Sequence, residues 1–416
     1  MSRQPANPFP VGKIDGEIWA DRKEIYPILR RSLEVGFGAS EPLMIMIRGE
    51  YGSGKSHALR HIEYQMTHGW DKMSGFPVYI ETPGESLTEF FNNFFFSIKM
   101  ENIVHSMREL YAIVLRSKTD QIQKEMSAEA IVSSLDPRQL SSDLKQMLID
   151  LFKATGFSLR GSNISDHWEY LATALSLLPR GGIREFTAAK WLTFQRLYQR
   201  DRDILGIPVD NKSSPAHVAA TMVAITRLIA RAHNYPKILL LIDELEEVRG
   251  SDEVEDIAQC LRHLVDSGLP ELIIVLGSSV SAEDIFGQVQ QALYRRIHMT
   301  MFLKPLNPSD VVQLVDKYMA RSSEAKESWL SEDAATVFCD EAQGRMSDLL
   351  QILNRAYFMS VQKGWKKIDS VGRAKEILLD ISKFGFPYAF VETETETSAT
   401  LAPETQTDQS APEKME

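Results

Sequence analysis

The segment Gly49-Glu50-Tyr51-Gly52-Ser53-Gly54-Lys55-Ser56 decides the fold of this chain of 416 residues. It follows the apolar run Leu43–Ile47 and precedes Ala58–Met66, a stretch whose pattern predicts a helix. Its three glycines allow positive φ angles and leave no Cβ in the way, so that successive backbone N–H groups can point at one anion. The following helix adds the positive end of its dipole. A strand, a glycine loop ending in Lys-Ser, and a helix together predict a phosphate-binding loop.

Each part of this loop has an expected role. Lys55 would reach the β- and γ-phosphates of a nucleotide, and the hydroxyl of Ser56 would ligate Mg²⁺. The alternative is a glycine-rich turn that binds nothing, which the flanking strand and helix disfavour. The residues predicted to surround ATP are Gly49, Glu50, Tyr51, Gly52, Ser53, Gly54, Lys55, Ser56 and His57.

A second signal is Asp243-Glu244, which follows the continuous apolar run of 237–242. Such a run is typical of a strand buried on both faces, and ligands of parallel sheets bind at the carboxyl ends of the strands. We expect Asp243 to hold Mg²⁺ together with Ser56, and Glu244 to polarise the attacking water. The alternative is the acidic start of a solvated helix, since two further glutamates follow.

Two weaker signals lie further along the chain. The apolar run Glu271–Leu276 ends in Gly277-Ser278-Ser279, where the hydroxyl of Ser278 or Ser279 could hold the water or the γ-phosphate. Arg295-Arg296 could deliver a cation to the γ-phosphate of a neighbouring subunit. For either arginine, the alternative is a surface salt bridge at a helix C-terminus.

The alternation of predicted strands and helices indicates an α/β fold with a doubly wound parallel sheet. After residue 304 the pattern predicts helices only, and the final stretch has almost no apolar bulk. The predicted boundaries are an irregular N-terminus at 1–14, a nucleotide-binding core at 15–99 and 211–304, a helical insertion at 100–210, an all-α lid domain at 305–391 and a disordered acidic tail at 392–416.

Two aromatic segments each admit two interpretations. The aromatic residues of 90–95 follow the capping box Ser86–Glu89 at helical spacing and are expected in the core, with a partner groove as the alternative. A helix predicted at 186–198 interleaves aromatic residues and arginines, which an amphipathic core helix explains best and binding of single-stranded nucleic acid explains alternatively. The residues concerned are Trp191, Phe194, Tyr198, Arg196, Arg200 and Arg202.

Composition limits the class of protein. Hydrophobic residues at 44% and charged residues at 25% are ordinary for globular proteins. Two distant cysteines, Cys260 and Cys339, suggest a reducing compartment without a disulfide framework or zinc site. No secretory signal or membrane-spanning run is visible, so we expect a cytoplasmic protein. The acidic net charge of −11 argues against a protein that coats nucleic acid. More than half of this charge lies in the tail, so the rest of the chain could still have one basic face.

Taken together, the motifs resemble those of the AAA+ ATPases, in particular the group that includes the replication initiators. The resemblance implies binding and hydrolysis of Mg-ATP, assembly side by side and a helical lid over the nucleotide. The matching segments are Arg22–Glu24 before the core, Gly49–Ser56 as Walker A, Ile238–Glu244 as Walker B, Ser278 and Ser279 at sensor 1, Arg295 and Arg296 at the arginine finger, and the helices after Pro305 as the lid.

The chain departs from this pattern in two places. Asp243 lies 187 residues after Ser56, far more than the core of this family requires. Segments 188–192 and 205–207, and the helix that ends at Tyr235-Pro236, are similar to parts of ATP-binding proteins of phage-exclusion and related conflict systems. In the lid, the Gly-x-x-Arg pattern of sensor 2 aligns with Gly344-Arg345-Met346-Ser347, so a serine stands at the arginine position. Either Arg345 substitutes for it, or the lid does not contact the nucleotide through an arginine.

The favoured function is an oligomeric Mg-ATP-dependent AAA+ ATPase that remodels or recruits a partner, either DNA or a DNA-bound complex, in defence, mobile-element or replication biology. The DNA partner follows from the resemblance alone, since no helix-turn-helix or zinc finger is visible. The alternative is an ATP-gated scaffold that recruits an effector protein with little turnover. A third class, a small-molecule kinase, is disfavoured by the Asp-Glu pair, the candidate finger and the separate helical lid.

Overall fold

The computed structural model describes residues 7–10, 14–19, 22, 24–70, 73–118, 127, 130, 137–155, 164–211, 213–248, 253–279, 291–321 and 328–384. The acidic tail predicted at 392–416 lies outside these residues.

One sheet of five strands organises the core. The strands are β1 (Leu43–Arg48), β2 (Gly75–Ile80), β3 (Lys237–Ile242), β4 (Leu272–Ser278) and β5 (Ile297–Phe302). All neighbouring pairs are parallel, and the order across the sheet is β2-β3-β4-β1-β5. The segments that follow β1 and β3 therefore leave the same edge of the sheet and are separated by β4 alone.

Successive side chains of the central strands point to opposite faces of the sheet, as the period of a strand requires. In β1, Met44 and Met46 enter one buried cluster, and Ile45 and Ile47 enter another. Both faces are thus covered, which explains why these strands are apolar throughout rather than alternating.

The two faces carry very different numbers of helices. The face of Ile45 is covered by two, α1 (Ile25–Gly38) and α2 (Lys55–His68). The face of Met44 belongs to a much larger continuous cluster, to which the inserted helices also contribute. Its helices are α3 (Leu87–Ile98), α4 (Met100–Lys118), α5 (Pro137–Lys153), α6 (Ile164–Leu177), α7 (Gly182–Leu192), α8 (Gln199–Leu205), α9 (Pro215–His233), α10 (Val254–Val265) and α11 (Gln291–Tyr294).

Four C-terminal helices form a separate lid with its own core. They are α12 (Pro308–Arg321), α13 (Glu332–Ala342), α14 (Met346–Lys363) and α15 (Val371–Phe384). Phe9 from the other end of the chain lies fully buried in this core, with its ring centroid 5.6 Å from that of Tyr318 and 5.7 Å from that of Trp329. The lid core is therefore completed by an N-terminal residue.

Residues 7–10 and 14–19, which we call the N-terminal strap, run along the lid. The side chain of Asn7 donates to the carbonyl of Asn354 at 3.0 Å, and Asn354 donates in return to the carbonyl of Phe9 at 2.7 Å. Further along, Lys317 of α12 donates to the carbonyl of Trp19 at 3.2 Å. These bonds satisfy strap carbonyls that would otherwise have no partner in regular structure.

The same strap is also bound to the core helix α2. Nδ1–H of His61 donates to the carbonyl of Gly16 at 2.7 Å, and Nε2–H of His57 donates to the carbonyl of Ile18. A Cβ at Gly16 would collide with the backbone carbonyl of Arg60, so the approach of strap to helix requires glycine there. The strap thus connects the lid to the helix that follows the phosphate-binding loop.

The structure confirms the predicted α/β fold: a doubly wound parallel sheet, a large helical insertion and a C-terminal all-α lid. Some elements differ from prediction. β5 was not predicted as a strand, because as an edge strand it exposes alternate side chains such as His298 and Thr300. The helix predicted at 186–198 begins earlier and ends at Leu192, before Phe194 adopts a positive φ of 59°. Residues 193–198 are not helical, and the next helix, α8, begins at Gln199.

The aromatic segments follow the core interpretation. The hydroxyl of Ser86 caps α3 by accepting from the N–H of Glu89 at 3.1 Å, and Phe90, Phe91, Phe94 and Phe95 are fully buried. The groove interpretation of these four residues was therefore wrong. In the second segment Trp191 is buried, whereas Tyr198 is 71% exposed.

Candidate nucleotide-binding site

The glycine loop lies between β1 and α2, as its motif predicts. Gly54 adopts φ of +94° and directly precedes Lys55, the first residue of α2, and Gly52 adopts φ of +76°. At Gly49, a Cβ would lie 2.9 Å from the carbonyl oxygen of Leu303. A side chain at any of these positions would be strained or obstructed, so the loop requires glycine.

The ammonium of Lys55 lies over its own loop. It donates to the carbonyl oxygens of Gly49 at 3.0 Å and of Glu50 at 3.2 Å. Burial lowers the pKa of Lys55, and the charges of Glu246, Asp243 and Glu244 act in the opposite direction. Lys55 is thus a cation held inside the loop where its motif would place phosphate oxygens.

Asp243 directly follows β3 and is 2% exposed. Its Oδ1 accepts from the backbone N–H of Glu244 at 3.0 Å, and its Oδ2 accepts from the hydroxyl of Tyr79 at 2.8 Å. A Cβ at position 277 would lie 2.9 Å from Oδ1, so Gly277 of β4 leaves room for the carboxylate. Asp243 is therefore oriented by groups from three strands or strand ends.

Glu244 follows in the left-handed region, with φ of +48°, and is exposed. Partial burial, a hydrogen bond to Glu247 and the charges of Glu247, Asp243 and Glu246 raise the pKa of Glu244 to about 7. Glu247 is itself held by the hydroxyl of Thr82. A carboxylate with a raised pKa at a cavity mouth is suited to accept a proton from water.

Glu246 and Ser279 form a second polar pair at the same edge of the sheet. The backbone N–H of Ser279 donates to Oε2 of Glu246 at 3.0 Å. Burial would raise the pKa of Glu246, but its hydrogen bonds and the charge of Lys55 outweigh this and hold the pKa below its ordinary value. The other sensor candidate, Ser278, is fully buried, and its carbonyl accepts from the N–H of Gly49 at 3.3 Å.

These groups line one cavity of about 570 Å³. Its core side contains the candidate metal ligands Ser56 and Asp243, the candidate water-polarising Glu244, and Lys55. The lining residues on the core side are Tyr51, Gly52, Gly54, Lys55, Ser56, His57, Asp243, Glu244, Glu246, Glu247 and Ser279.

The donor set fits a nucleotide with a divalent cation. The hydroxyl of Ser53 is buried in the loop and has no hydrogen-bond partner among the described residues. The four carboxylates that line the cavity outnumber its one lysine, so a bare triphosphate would be repelled. A hard cation with oxygen ligands from Ser56 and Asp243 would offset this repulsion, and Mg²⁺ is the cation that uses one or two carboxylates with phosphate oxygens.

The opposite side of the cavity is formed by the lid and the N-terminal strap. The backbone N–H of Met346 donates to the carbonyl of Gly52 at 2.7 Å, and Ser347 faces the cavity. Arg345 does not line the cavity, because its guanidinium pairs with Asp348 at 2.8 Å. The lining residues from the strap and lid are Pro10, Ile14, Met346, Ser347, Leu350 and Gln351.

The two candidate finger arginines have different surroundings. Arg296 is held by both oxygens of Asp266, with Nη2 and Oδ2 2.8 Å apart. Arg295 is exposed and has no hydrogen-bond or ion-pair partner within the described part of the chain. Neither arginine lines the cavity of its own subunit.

Sequence reasoning missed three contributors. Tyr79 is on β2, and a tyrosine in an apolar strand is usually interpreted as a core packing residue. Glu246 was treated only as one of several acids. Arg22 was placed before the core, but its guanidinium donates to the carbonyl of Ser53, and burial lowers its pKa to about 10. The only sequence signal for Tyr79 is its position one residue before the end of a strand at the ligand edge.

Comparison with solved structures gives similarities at low identity. The ORC2 protein of Aeropyrum pernix, in its ADPNP-ADP complexes, is 11% identical with a TM-score of 0.46, covering 90% of this chain and 71% of that chain. The ORC1 protein of the same organism, in complex with DNA, is 11% identical with a TM-score of 0.41, covering 91% of this chain and 69% of that chain. Cdc6p of Pyrobaculum aerophilum is 12% identical with a TM-score of 0.43, covering 89% of this chain and 70% of that chain.

The fold and the glycine loop define this chain as a P-loop NTPase with a parallel α/β sheet. Residues 24–356 match the model of the KAP family P-loop domain, which is most of the chain. The chain belongs to the KAP family of P-loop NTPases. A comparison with curated protein sequences gives no match. Within the described residues, no helix combines the length and apolar character needed to cross a membrane.

Proposed function

We propose that this protein binds Mg-ATP and hydrolyses it as an oligomer, and thereby remodels or recruits a partner. The observation that carries the proposal is the single cavity shared by Lys55, Ser56, Asp243 and Glu244. Lys55 would bind the β- and γ-phosphates, and Mg²⁺ held by Ser56 and Asp243 would neutralise phosphate charge. Glu244 would orient the attacking water and accept its proton, and Ser279 would contact the water or the γ-phosphate.

Hydrolysis is proposed to need a second subunit. Among the described residues no arginine lines the cavity, and Lys55 is the one lysine there that could stabilise the charge that develops on the γ-phosphate beside Mg²⁺. We assign Arg295 as the finger, since Arg296 is already engaged by Asp266. An arginine supplied by a neighbour stabilises that charge and typically accelerates phosphoryl transfer by about a thousandfold or more.

Subunit mixing tests this assignment. Arg295→Ala and Glu244→Gln are each expected to lose nearly all turnover while retaining ATP binding. Arg295→Ala keeps an intact hydrolytic site, and Glu244→Gln keeps an intact finger. When the two variants are mixed, interfaces that pair the site of Arg295→Ala with the finger of Glu244→Gln should regain activity. Arg296→Ala is the matched control and should keep most of its turnover. Full activity of Arg295→Ala, or no regain on mixing, would contradict a finger supplied in trans by Arg295.

The proposed partner is DNA or a DNA-bound complex. Besides the resemblance of the motif order to replication initiators, its support is an exposed set of residues at the connection between α7 and α8, Arg196, Tyr198 and Arg200. Exposed arginine beside an exposed aromatic ring can bind phosphate and stack on a base. Salt-dependent stimulation of ATPase activity by single-stranded DNA, lost in Arg196→Ala/Arg200→Ala, would support it. Unchanged turnover with DNA would remove DNA as a direct ligand.

The second candidate is an ATP-gated scaffold that recruits an effector protein with little turnover. Arg345, the one arginine available at sensor 2, is turned toward Asp348, and this observation favours a lid that senses nucleotide without promoting hydrolysis. Turnover measured against protein concentration separates the two functions. A steep rise indicates the oligomeric ATPase, and ATP-dependent assembly without turnover indicates the scaffold.

A further inference from the structure

Tyr79 connects the nucleotide cavity to a groove on the outer side of β2. Its ring lines two further cavities of about 480 and 580 Å³, which also share Arg60, Glu63 and Glu81. Its hydroxyl points the other way and donates to Oδ2 of Asp243 at 2.8 Å. One side chain therefore contacts both the groove and the candidate metal ligand.

The ring and the backbone of Tyr79 are each held by a separate contact. The guanidinium of Arg60 lies 3.5 Å from the ring centroid, and Arg60 is itself paired with Glu63 at 2.7 Å. The backbone carbonyl of Tyr79 accepts from the hydroxyl of Ser97 at 2.7 Å, which fixes the end of β2 against α3. The cation over the ring and the hydrogen-bonded backbone carbonyl both help to hold the phenol where it donates to Asp243.

The hydrogen bond from Tyr79 orients the carboxylate of Asp243. In this bond the phenol O–H of Tyr79 is the donor and a carboxylate oxygen of Asp243 is the acceptor. The carboxylate is 2% exposed, and water cannot readily replace a lost donor. Without Tyr79, the carboxylate of Asp243 would keep only the hydrogen bond from the N–H of Glu244 among the described residues, and Oδ2 would be buried without a donor.

We propose that Tyr79 is a positioning residue for the metal-binding carboxylate of Asp243, with Arg60 holding its ring. This inference rests on the proposed Mg-ATP site and adds to it a residue from the edge strand. Partners of metal ligands fix ligand orientation, and their loss typically costs about 10- to 100-fold in metal affinity. Tyr79 acts through Asp243 and has no contact of its own with the proposed nucleotide.

The test separates nucleotide binding from metal binding and requires no hydrolysis. A fluorescent non-hydrolysable ATP analogue is titrated by anisotropy against the full chain, first in EDTA and then at increasing Mg²⁺. For Tyr79→Phe we expect wild-type affinity in EDTA and a Mg²⁺ midpoint raised by about tenfold. Tyr64→Phe is the matched control, because it removes a hydroxyl from the same groove at a residue that lines one of its cavities.

Two further variants keep the test decisive. Arg60→Met keeps an unbranched apolar side chain but removes the cation over the ring, and should raise the Mg²⁺ midpoint by a smaller factor. In an Asp243→Ala background, Tyr79→Phe should change nothing further, since its effect passes through that carboxylate.

The outcomes distinguish failure of the positioning role of Tyr79 from failure of the proposed Mg-ATP binding. A wild-type Mg²⁺ midpoint in Tyr79→Phe, or an equal loss of affinity with and without Mg²⁺, would overturn the positioning role. Absence of any saturable Mg²⁺-dependent binding by the wild-type chain would instead overturn the proposed function.

Discussion

The two walls of the nucleotide cavity differ in the chemistry they offer. The core wall contains all the charged lining residues, which are one lysine and four carboxylates, together with the backbone N–H groups of the loop. The lid and strap wall is neutral and partly apolar, and its lining residues include Pro10, Ile14, Met346 and Leu350. The core wall can therefore bind phosphate and metal, whereas the lid wall can supply enclosure and shape.

The walls also differ in how firmly they are held. The core wall is part of a sheet buried on both faces. Among the described residues, the lid wall makes one backbone hydrogen bond to the glycine loop, from Met346 to Gly52. The segment 303–307 after β5 and the N-terminal strap also connect the lid to the core side. We therefore expect changes in the core wall to abolish binding, and changes in the lid wall to alter enclosure or stability.

The largest expected effect is on the core wall. Lys55→Ala should weaken ATP binding by about 3 to 6 kcal/mol, since two charge-assisted contacts to phosphate are worth about 1.5 to 3 kcal/mol each. This corresponds to a loss of at least about a hundredfold in affinity. Fluorescent nucleotide titration measures it, with the exposed Lys304→Ala as control. Affinity within tenfold of the wild type would show that the core wall does not dominate binding.

The next effect concerns the strap that completes the lid. Phe9→Ala removes a fully buried ring and should lower the free energy of unfolding of the lid by about 3 to 5 kcal/mol. Chemical denaturation followed by tryptophan fluorescence measures this, because Trp329 contacts Phe9. Phe358→Ala, at a 41% exposed position of the lid, should change it by less than about 1 kcal/mol. Equal effects of the two variants would show that the strap is not part of the lid core.

A similar magnitude is expected from pH, through the contact of the strap with α2. Burial, opposed by the hydrogen bond to Gly16 and reinforced by Lys317, lowers the pKa of His61 to about 4. Its Nε2 is buried without a partner among the described residues, and rings of Trp19, Tyr26 and Trp70 surround it. A second proton on the ring would therefore have no acceptor.

Because the unfolded chain binds this proton near pH 6.5 and the folded chain only near pH 4, the stability from neutral His61 is complete above about pH 7. It is lost progressively as the pH falls, by about 3 kcal/mol at pH 4. Denaturation midpoints between pH 7 and 4 should therefore decline more steeply for the wild type than for His61→Phe. Parallel declines would mean that His61 titrates normally in the folded protein.

The smallest effect is expected at sensor 2. Arg345→Ala should change ATP affinity and turnover by less than about threefold, because an exposed pair such as Arg345–Asp348 is worth at most about 1 kcal/mol. Steady-state kinetics and nucleotide titration measure it. A loss of tenfold or more would show that Arg345 moves into the cavity when nucleotide binds, and the lid wall would then contribute charge after all.

The sequence predicted the parts of this site that are contiguous in the chain. The glycine loop and Asp243-Glu244 each follow an apolar run that can only be a buried strand, so their meeting at one edge follows from parallel pairing. The bond from Tyr79 to Asp243 spans 164 residues, and no local pattern specifies it.

The same limit applies to the arginines. Which of Arg295 and Arg296 is engaged depends on Asp266, a residue of another element, and the orientation of Arg345 depends on a helix turn that brings Asp348 beside it. β5 was overlooked as a strand because an edge strand with one exposed face has no continuous apolar run.

The reciprocal amide bonds between Asn7 and Asn354 join residues at nearly opposite ends of the described chain, 347 positions apart. During synthesis, the ring of Phe9 leaves the ribosome long before Trp329 and Tyr357, the partners that shield it, have been made. At ordinary elongation rates this interval is roughly twenty seconds to a minute. The lid must therefore be among the last parts of the protein to mature, and a nascent chain carries an unshielded aromatic residue until then.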